Sequence, residues 1–287
     1  MTMSTTIISI EGNIGSGKST LVAELEKNYN DVLYVGFLPE PVDIWSTIKD
    51  ENGITILENF YGNNEKYAFQ FQMMAYISRL SIIKNALKEN KYKFIITERS
   101  LYTDANIFAK MLYDDKKITQ IEYTIYKMWF DEFINDIPIN KIVYVKADPI
   151  VSHSRVIKRN RLGENIPLSY LEKCHEYHES WLNISKYDMI TLDGNADIIK
   201  NPEIMIQWIE QIKQFINASE NVFEYSSDVE ISSTGTNQDD EDNNDNETYK
   251  NEDDSDDDEF YINLLRMPVG SINEYNYMLH LSNMSLQ

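Results

Sequence analysis

The chain has 287 residues, of which 47 are acidic and 26 basic, and its formal net charge is −21. The charge is uneven, because residues 219–259 hold 17 acidic side chains and one lysine. The rest of the chain carries about −5, an ordinary value for a soluble domain. This balance argues against a broad nucleic-acid-binding face, which needs a positive footprint.

Cysteine content and apolar patterning exclude two further classes. Cys174 has no second thiol to pair with, so an intramolecular disulfide is impossible, and its helical context indicates a packed side chain. No apolar run approaches the ~20 residues that a membrane-spanning helix needs. Residues 1–6 resemble no targeting peptide. We therefore expect a protein of the cytoplasm or nucleus, with no membrane partner.

Five short runs of β-branched and apolar residues predict buried strands at residues 6–10, 32–37, 93–97, 141–146 and 189–192. The segments between and after them have helical length and spacing. Their predicted bounds are 19–28, 65–89, 103–112, 120–135, 149–159, 169–184 and 202–216. This alternation predicts an α/β fold with a five-stranded parallel sheet flanked by helices. Binding sites in such sheets lie beyond the carboxyl ends of the strands.

The periodic pattern stops after Ala218, which defines the predicted domain organisation. We assign residues 1–218 to the α/β domain. Residues 219–259 form a predicted disordered acidic linker, since they lack the apolar side chains that a core requires. Residues 260–287 regain apolar side chains and form a C-terminal segment of open role. The acidic linker is a candidate for regulation, for binding a basic partner or for solubility alone.

A phosphate-binding loop follows the first predicted strand. Residues 12–19 fit the pattern G-x-x-x-x-G-K-[ST] between a strand and a helix start. The predicted nucleotide-binding residues are Gly12, Asn13, Ile14, Gly15, Ser16, Gly17, Lys18, Ser19 and Thr20. Glycines let successive N–H groups face a phosphate, and the helix start adds a positive dipole end. Lys18 supplies a cation for the β- and γ-phosphates and Ser19 a hydroxyl for Mg²⁺. The loop predicts a triphosphate donor such as ATP, but it does not specify the acceptor.

Charged residues follow the second and third predicted strands on the same rim. Glu40, between two prolines, can take a proton from a hydroxyl that attacks the γ-phosphate. Glu98 can serve Mg²⁺, and Arg99 beside it can hold the acceptor and the transferred phosphoryl group. The predicted catalytic residues are therefore Lys18, Glu40 and Arg99, and the predicted metal-binding residues are Ser19 and Glu98.

Several motifs, in order along the chain, resemble the deoxyribonucleoside kinase family. They are Glu-Gly-Asn-Ile-Gly-Ser-Gly-Lys-Ser-Thr at 11–20, Pro-Glu-Pro-Val at 39–42 with Trp45, Phe-Gln at 71–72, Glu-Arg-Ser at 98–100 and Leu-Glu-Lys-Cys-His-Glu-Tyr-His-Glu-Ser-Trp-Leu at 171–182. The resemblance implies a P-loop kinase that transfers the γ-phosphate of ATP to the 5′-hydroxyl of a deoxynucleoside in nucleotide salvage. It also implies a homodimer through the helices at 65–89 and 120–135, and a substrate contact at Trp45.

The resemblance assigns roles to further residues. Glu40 is the expected general base for the 5′-hydroxyl. Gln72 is the expected partner of the nucleobase edge, which an amide suits because it presents both a donor and an acceptor. Phe108 is expected to stack on the base, although its spacing also fits an ordinary core residue. Tyr61 is assigned to the sugar 3′-hydroxyl, with Tyr67 as the competing candidate.

Arg79 and Asp104 carry the prediction of base specificity. Gln72 and Arg79 share one helical face, and Asp104 and Phe108 share a face of the next helix. An Arg and an Asp at these matching positions are typical of the deoxycytidine and deoxyguanosine kinases. Such a charge-assisted pair favours a cytosine or purine edge. The alternative is a purely structural ion pair.

A basic run resembles the arginine-rich lid of the family. Arg155 and Arg159 are four residues apart, and Arg161 follows them. Such cations stabilise charge on the donor phosphates, and a closed lid excludes water. Residues 162–167 are one residue shorter than the family pattern and carry one acid where two are common. Glu164, that acid, is a candidate contact for the 3′-hydroxyl.

Two rival functions remain open at this stage. A nucleoside monophosphate kinase of the thymidylate kinase type shares the phosphate loop, but a phosphate acceptor needs no general base at Glu40. A catalytically idle nucleotide-binding module would not need Lys18, Glu40, Glu98 and Arg99 together.

Overall fold

The computed structural model describes residues 4–29, 34–161, 163–184 and 187–217. The predicted linker at 219–259 and the predicted C-terminal segment at 260–287 lie outside the described residues.

One parallel sheet of five strands confirms the predicted fold class. The strands are β1 (Thr6–Glu11), β2 (Val35–Leu38), β3 (Phe94–Glu98), β4 (Lys141–Lys146) and β5 (Asp188–Asp193). Their spatial order is β2-β3-β1-β4-β5. In the central strand, Ile8 lies opposite Ile96 of β3 and Lys141 of β4. The second strand begins at Val35, later than predicted.

The helices agree with the predicted bounds to within about two residues, except in three places. Their bounds are α1 (Lys18–Asn28), α2 (Val42–Thr47), α3 (Ile56–Gly62), α4 (Asn64–Lys88), α5 (Leu101–Thr103), α6 (Lys110–Asp114), α7 (Gln120–Phe133), α8 (Pro149–Arg159), α9 (Leu168–Ile184) and α10 (Pro202–Asn217). The sequence did not predict α2 and α3. A π-helix, Asp104–Ala109, joins α5 to α6 where one α-helix was predicted. Among the described residues, none of the helices is long and apolar enough to cross a membrane.

Alternation along the strands builds a core on each face of the sheet. In β4, Val143 and Val145 face the core formed with α1 and α10, whereas Ile142 and Tyr144 face α9. In β1, Ile7 packs with α4 and α7 on this second face. Because both faces are covered, the strands are apolar along nearly their whole length, as expected for a parallel sheet.

An aromatic cluster ties α2, α3 and α4 together beside the strand ends. Phe60 stacks on Phe71 with ring centroids 4.5 Å apart, and Trp45 meets Phe71 edge-on at 5.5 Å. The Trp45 indole N–H donates to the Ser78 hydroxyl at 2.9 Å. Aromatic pairs of this kind stabilise by about 1 kcal/mol beyond their buried area. The cluster therefore gives two short helices a fixed position on the long helix α4.

Helix α9 carries a buried histidine. His178 is fully buried, and its ring is nearly parallel to that of Tyr144. Its Nδ1 lies 2.6 Å from the Cys174 carbonyl oxygen, so Nδ1 carries the proton and donates. No described residue partners its Nε2. Burial therefore lowers the pKa of His178 to about 3, although the bond to Cys174 acts in the opposite direction.

This burial predicts a loss of stability in mild acid. The unfolded chain binds a proton at His178 below pH 6.5 and the folded chain does not until about pH 3. Stability is therefore complete above pH 6.5, and this site should remove about 2 kcal/mol between pH 7 and pH 5. His178→Phe keeps a flat aromatic ring but removes the titratable nitrogens, so it should flatten that slope in urea unfolding. His175→Phe, on the same helix, should keep it. An unchanged slope in His178→Phe would show that other groups cause the acid sensitivity.

Candidate active site

The carboxyl ends of the strands meet at one rim, where a cavity of about 880 Å³ opens. Segments that follow each of the five strands line it, which is the expected position of a site in a parallel sheet. The predicted site residues that line the cavity are Ile14, Gly15, Ser16, Gly17, Lys18, Ser19, Thr20, Glu40, Trp45, Tyr61, Gln72, Arg79, Glu98, Arg99, Asp104, Phe108, Arg155, Arg159, Arg161 and Glu164. Gly12 and Asn13 do not line it.

Close packing explains the glycines of the phosphate loop. Gly12 and Gly15 have φ angles of 145° and 82°, which side-chain-bearing residues rarely adopt. A Cβ at Gly12 would lie 2.5 Å from the Val145 carbonyl oxygen. A Cβ at Gly15 would lie 2.5 Å from the Ser152 carbonyl oxygen of α8. The loop is therefore pressed between β4 and α8, and Gly12 shapes it without facing the cavity.

Lys18 lies at the start of α1 and is buried. Its Nζ donates to the Asn13 carbonyl oxygen at 2.8 Å. Burial, followed by the positive charge of Arg99, lowers the pKa of Lys18 to about 7, against the opposing effect of Glu98, Glu40 and Glu11. An anion placed in the loop would restore the charged form, so the loop is electrostatically prepared for phosphate.

Ser19 and Glu98 lie together, as the metal prediction requires. The Ser19 hydroxyl donates to Glu98 Oε1 at 2.7 Å, across 79 positions of sequence. Ser19 is exposed whereas Glu98 is buried. A hydroxyl and a carboxylate are both oxygen ligands of the kind that Mg²⁺ prefers.

Glu40 is held between two arginines. Its Oε1 accepts from Arg99 Nη1 at 2.6 Å and from Arg79 Nη2 at 3.2 Å. Burial opposes ionisation, but Arg99 and then Arg79 outweigh it and hold the pKa of Glu40 well below its usual range. Glu40 is therefore a carboxylate at neutral pH, fixed on the rim beside the phosphate loop.

Arg79 connects the parts of the acceptor side. Besides Glu40, its guanidinium donates from Nε to Asp104 Oδ2 at 3.0 Å and from Nη1 to the Glu98 carbonyl oxygen at 2.8 Å. The predicted pairing of Arg79 with Asp104 is therefore present, and both side chains are almost fully buried. Burial raises the pKa of Asp104, although Arg79 counters part of that effect. Arg79, which the sequence predicts as part of the base pocket, thus also supports Glu40, a contact that the sequence did not indicate.

The π-helix carries Asp104 and Phe108 on the cavity wall. Phe108 is half-buried, and the Arg99 guanidinium lies over its ring, 5.2 Å from the centroid. The positive guanidinium is attracted to the negative face of the aromatic ring, which stabilises this position of the Arg99 side chain. The wider winding of a π-helix, which is frequent at functional sites, turns these residues relative to an α-helix.

Gln72 is a buried side chain with an unpaired hydrogen-bond acceptor. It is 2% exposed, it lines the cavity, and none of the described residues donates to its Oε1. Such an unpaired acceptor costs about 1–3 kcal/mol when no partner is present. A donor on a bound molecule would satisfy it. Tyr61 also lines the cavity, and burial and then Glu164 raise its pKa, whereas the competing Tyr67 does not line it.

The predicted lid arginines have partners that the sequence did not indicate. Arg155 donates to the carbonyl oxygens of Ser16 and Gly194, at 3.2 and 2.6 Å, and so joins α8 to the phosphate loop. Arg159 forms a bidentate pair with Glu164, at 2.6 Å. Two residues predicted to serve different substrates thus contact each other. Arg155 and Arg159 both line the cavity, but their positions do not confirm a lid over donor phosphates.

Sequence analysis missed the loop after β5. Asn195, Ala196 and Asp197 line the cavity beside α8. The signal was available, because this loop follows the carboxyl end of a parallel strand, where such sites lie. Unlike Glu40 and Glu98, its residues lie in no motif that the sequence analysis singled out.

A mononucleotide-binding α/β sheet with a phosphate loop, a nearby carboxylate and two arginines defines a phosphotransferase of the P-loop kinase class. The family model described as Deoxynucleoside kinase matches residues 8–217. The chain is 35% identical to "Deoxycytidine kinase 1" of Xenopus laevis and 34% identical to "Deoxycytidine kinase" of Homo sapiens, and each match covers 73% of this chain and 90% of that protein. It is 30% identical to "Deoxyguanosine kinase, mitochondrial" of Xenopus laevis, over 71% of this chain and 81% of that protein.

The chain belongs to the deoxynucleoside kinase family. It is an enzyme that transfers a phosphoryl group from a nucleotide donor to a deoxynucleoside. This identification favours the deoxynucleoside kinase prediction over both rivals, the monophosphate kinase and the idle module.

The contact between Gly15 and α8 predicts a specific defect. Gly15→Ala adds a Cβ 2.5 Å from a helix carbonyl at a left-handed φ, so it should weaken ATP binding at least tenfold in calorimetry. Gly53→Ala is the matched control, since Gly53 has φ +79° and no atom within 4 Å of its Cβ. It should lower stability slightly and leave ATP affinity unchanged. Wild-type ATP affinity in Gly15→Ala would contradict the packing argument.

Proposed function

We propose that this kinase uses ATP and Mg²⁺ to phosphorylate the 5′-hydroxyl of deoxycytidine or a purine deoxynucleoside, in nucleotide salvage. The observation that carries the proposal is the placement of Glu40. It is held by Arg79 and Arg99 in the same cavity as the phosphate loop and as Gln72. A carboxylate there serves an acceptor that must lose a proton, which a hydroxyl must and a phosphate need not.

The donor side of the proposal places the ATP phosphates on the loop at residues 12–20. Backbone N–H groups and the start of α1 bind the phosphates, and Lys18 neutralises their charge. Ser19 and Glu98 hold Mg²⁺, with Glu98 acting directly or through water. Arg159 and Arg161 line the cavity, and their guanidinium groups would form the lid over the phosphates.

On the acceptor side, Glu40 receives the 5′-hydroxyl proton. Its low pKa keeps it ionised, but it also makes it a weak base while Arg99 is fully engaged with it. When the transferred phosphoryl group shares Arg99, the carboxylate loses part of that stabilisation and its basicity rises. The same contact of Arg99 with the phosphoryl group thus stabilises the transition state and raises the basicity of Glu40.

Side chains on the cavity wall supply the proposed contacts to the base and the sugar. Gln72, Arg79 and Asp104 present donors and acceptors for a cytosine or purine edge, and the relatives named deoxycytidine and deoxyguanosine kinase fit that choice. Tyr61 and Glu164 serve the 3′-hydroxyl. Trp45 and Phe108 bound the ring on its apolar side.

A substrate panel tests the function. ADP release from ATP is measured with deoxycytidine, deoxyguanosine, deoxyadenosine, thymidine and deoxythymidine monophosphate, each with and without Mg²⁺. Deoxycytidine or a purine deoxynucleoside should give the highest kcat/KM, and only with Mg²⁺. Turnover of the monophosphate without turnover of any nucleoside would overturn the proposal.

The role of Glu40 predicts a separation of binding from chemistry. Glu40→Gln keeps the size of the side chain and should lower kcat by ~10²–10⁴, because the amide cannot take the proton. ATP affinity should stay within about twofold. Glu26→Gln, at an exposed site on α1, is the control and should match the wild type. Near-normal turnover in Glu40→Gln would exclude it as the base.

We also propose a homodimer through α4 and α7. Ile121 and Met128 are 73% and 68% exposed, and with Ile125 they form one apolar stripe on α7. Phe69, Met73 and Ile77 are half-buried along α4, which packs against α7. The double variant Ile121→Glu with Met128→Glu should sediment as a monomer where the wild type sediments as a dimer. A monomeric wild type would rule this interface out.

Residues 219–259 are proposed as an acidic segment that can meet a basic partner in the cytoplasm or nucleus. A chain ending at residue 218 should retain kcat if the segment acts only through such a partner.

A further inference from the structure

Glu11 is a buried carboxylate that the proposed chemistry does not use. It is the last residue of β1, immediately before the phosphate loop, and it is fully buried. Three hydroxyl groups donate to it: Ser9 and Ser100 to Oε1, at 2.5 and 2.8 Å, and Thr103 to Oε2. Hydrogen bonds to a charged acceptor are roughly twice as strong as those between neutral groups.

Two of these donors form the start of α5. The Ser100 hydroxyl accepts from the Thr103 N–H at 3.3 Å, and the Thr103 hydroxyl accepts from the Ser100 N–H at 3.2 Å. Each hydroxyl therefore accepts a hydrogen bond from a backbone N–H and donates one to the Glu11 carboxylate. The carboxylate thus fixes the direction of both hydroxyls and clamps the helix start to the end of β1.

The clamped turn lies between two residues of the acceptor side. Arg99, just before Ser100, has φ 62°, a left-handed conformation that is unfavourable for a residue with a Cβ. Its N–H donates to the Ile10 carbonyl oxygen at 3.0 Å, and its carbonyl oxygen accepts from the Thr97 hydroxyl. Asp104 follows Thr103 directly. Such a backbone conformation persists only where neighbouring contacts over-determine it.

We propose that Glu11 is a positioning residue that holds Arg99 in its left-handed conformation through Ser100 and Thr103. It thereby aims the Arg99 guanidinium at Glu40. The inference rests on the proposed role of Arg99 in phosphoryl transfer. Glu11 contacts the start of α5 through Ser100 and Thr103, so we expect the loss of these contacts to act on the rate of chemistry through Arg99.

The test uses Glu11→Gln and Thr103→Val, with Ser9→Ala as the matched control. The amide of Gln has one acceptor oxygen, so a helix-start hydroxyl loses its acceptor. Thr103→Val keeps the side-chain shape and removes one donor to the same carboxylate. Ser9→Ala also removes a donor to Glu11, but Ser9 lies on β1 and does not touch the helix start.

Glu11→Gln should lower kcat about 10- to 100-fold and Thr103→Val about 5- to 10-fold. Thr103→Val, which keeps the Glu11 charge near Lys18, should also keep ATP affinity within twofold of the wild type. Ser9→Ala should keep kcat within twofold. The double variant Glu11→Gln with Thr103→Val should lose no more than Glu11→Gln alone, because both act on the same hydrogen-bonded turn. Equal kcat losses in Ser9→Ala and Thr103→Val, or a parallel loss of ATP affinity in Thr103→Val, would overturn the proposal in favour of general damage to the phosphate loop.

Crystal structures of the variants supply a readout that needs no acceptor. Arg99 should leave the left-handed region in Thr103→Val and keep it in Ser9→Ala. Retention of φ near 62° in Thr103→Val would refute the inference even if the enzyme phosphorylates deoxynucleosides. Failure of the wild type on every deoxynucleoside, with Arg99 displaced in Thr103→Val, would instead refute the proposed function alone.

Discussion

The acceptor side of this enzyme depends on one guanidinium. Arg79 reaches the π-helix through Asp104, the end of β3 through the Glu98 carbonyl, and the loop after β2 through Glu40. A fixed fork of five N–H donors can serve three separate acceptors, which the compact ammonium of a lysine cannot do in the same geometry. Loss of Arg79 would leave the buried Asp104 carboxylate without its charged partner, a costly state, and would leave Glu40 with Arg99 alone. In the proposed function, base recognition and support of Glu40 therefore share one residue, so substitutions of Arg79 that change specificity should also disturb the chemistry.

A balance of charges surrounds that guanidinium. Lys18, Arg79 and Arg99 are buried within reach of Glu11, Glu40 and Glu98. Burial opposes the charged forms of Lys18, Arg79, Arg99 and Glu40, and oppositely charged neighbours favour those charged forms. The guanidinium groups of Arg79 and Arg99 donate to Glu40, whereas the hydroxyls of Ser9, Ser100 and Thr103 donate to the Glu11 carboxylate. The site thus contains one carboxylate bound by cations and another bound by neutral hydroxyl groups.

Sequence patterns predicted most of this architecture, because the buried parallel strands and the long helices leave a strong periodic signal. The phosphate loop and the residues at the strand ends followed from the same logic. Helices α2 and α3, with six and seven residues, are too short to show periodicity, and their position depends on the tertiary contacts of Trp45 and Phe60. The π-helix and the left-handed Arg99 are also products of tertiary contacts. Likewise, no sequence pattern distinguishes an arginine that donates to backbone carbonyls, such as Arg155, from one whose guanidinium is free to bind a phosphate.

The low pKa of Lys18 has a consequence for chemical labelling. This lowered pKa gives Lys18 a much larger neutral fraction at pH 7 than an ordinary exposed lysine, which is neutral in only about one molecule in several thousand. The neutral amine is the nucleophile, so acylating or sulfonylating nucleotide analogues would meet a side chain that is both pre-activated and positioned in their own binding loop. Occupancy by a triphosphate would suppress the same reaction by charging the amine. The rate of covalent modification at this one lysine thus reports on how often the donor site is empty.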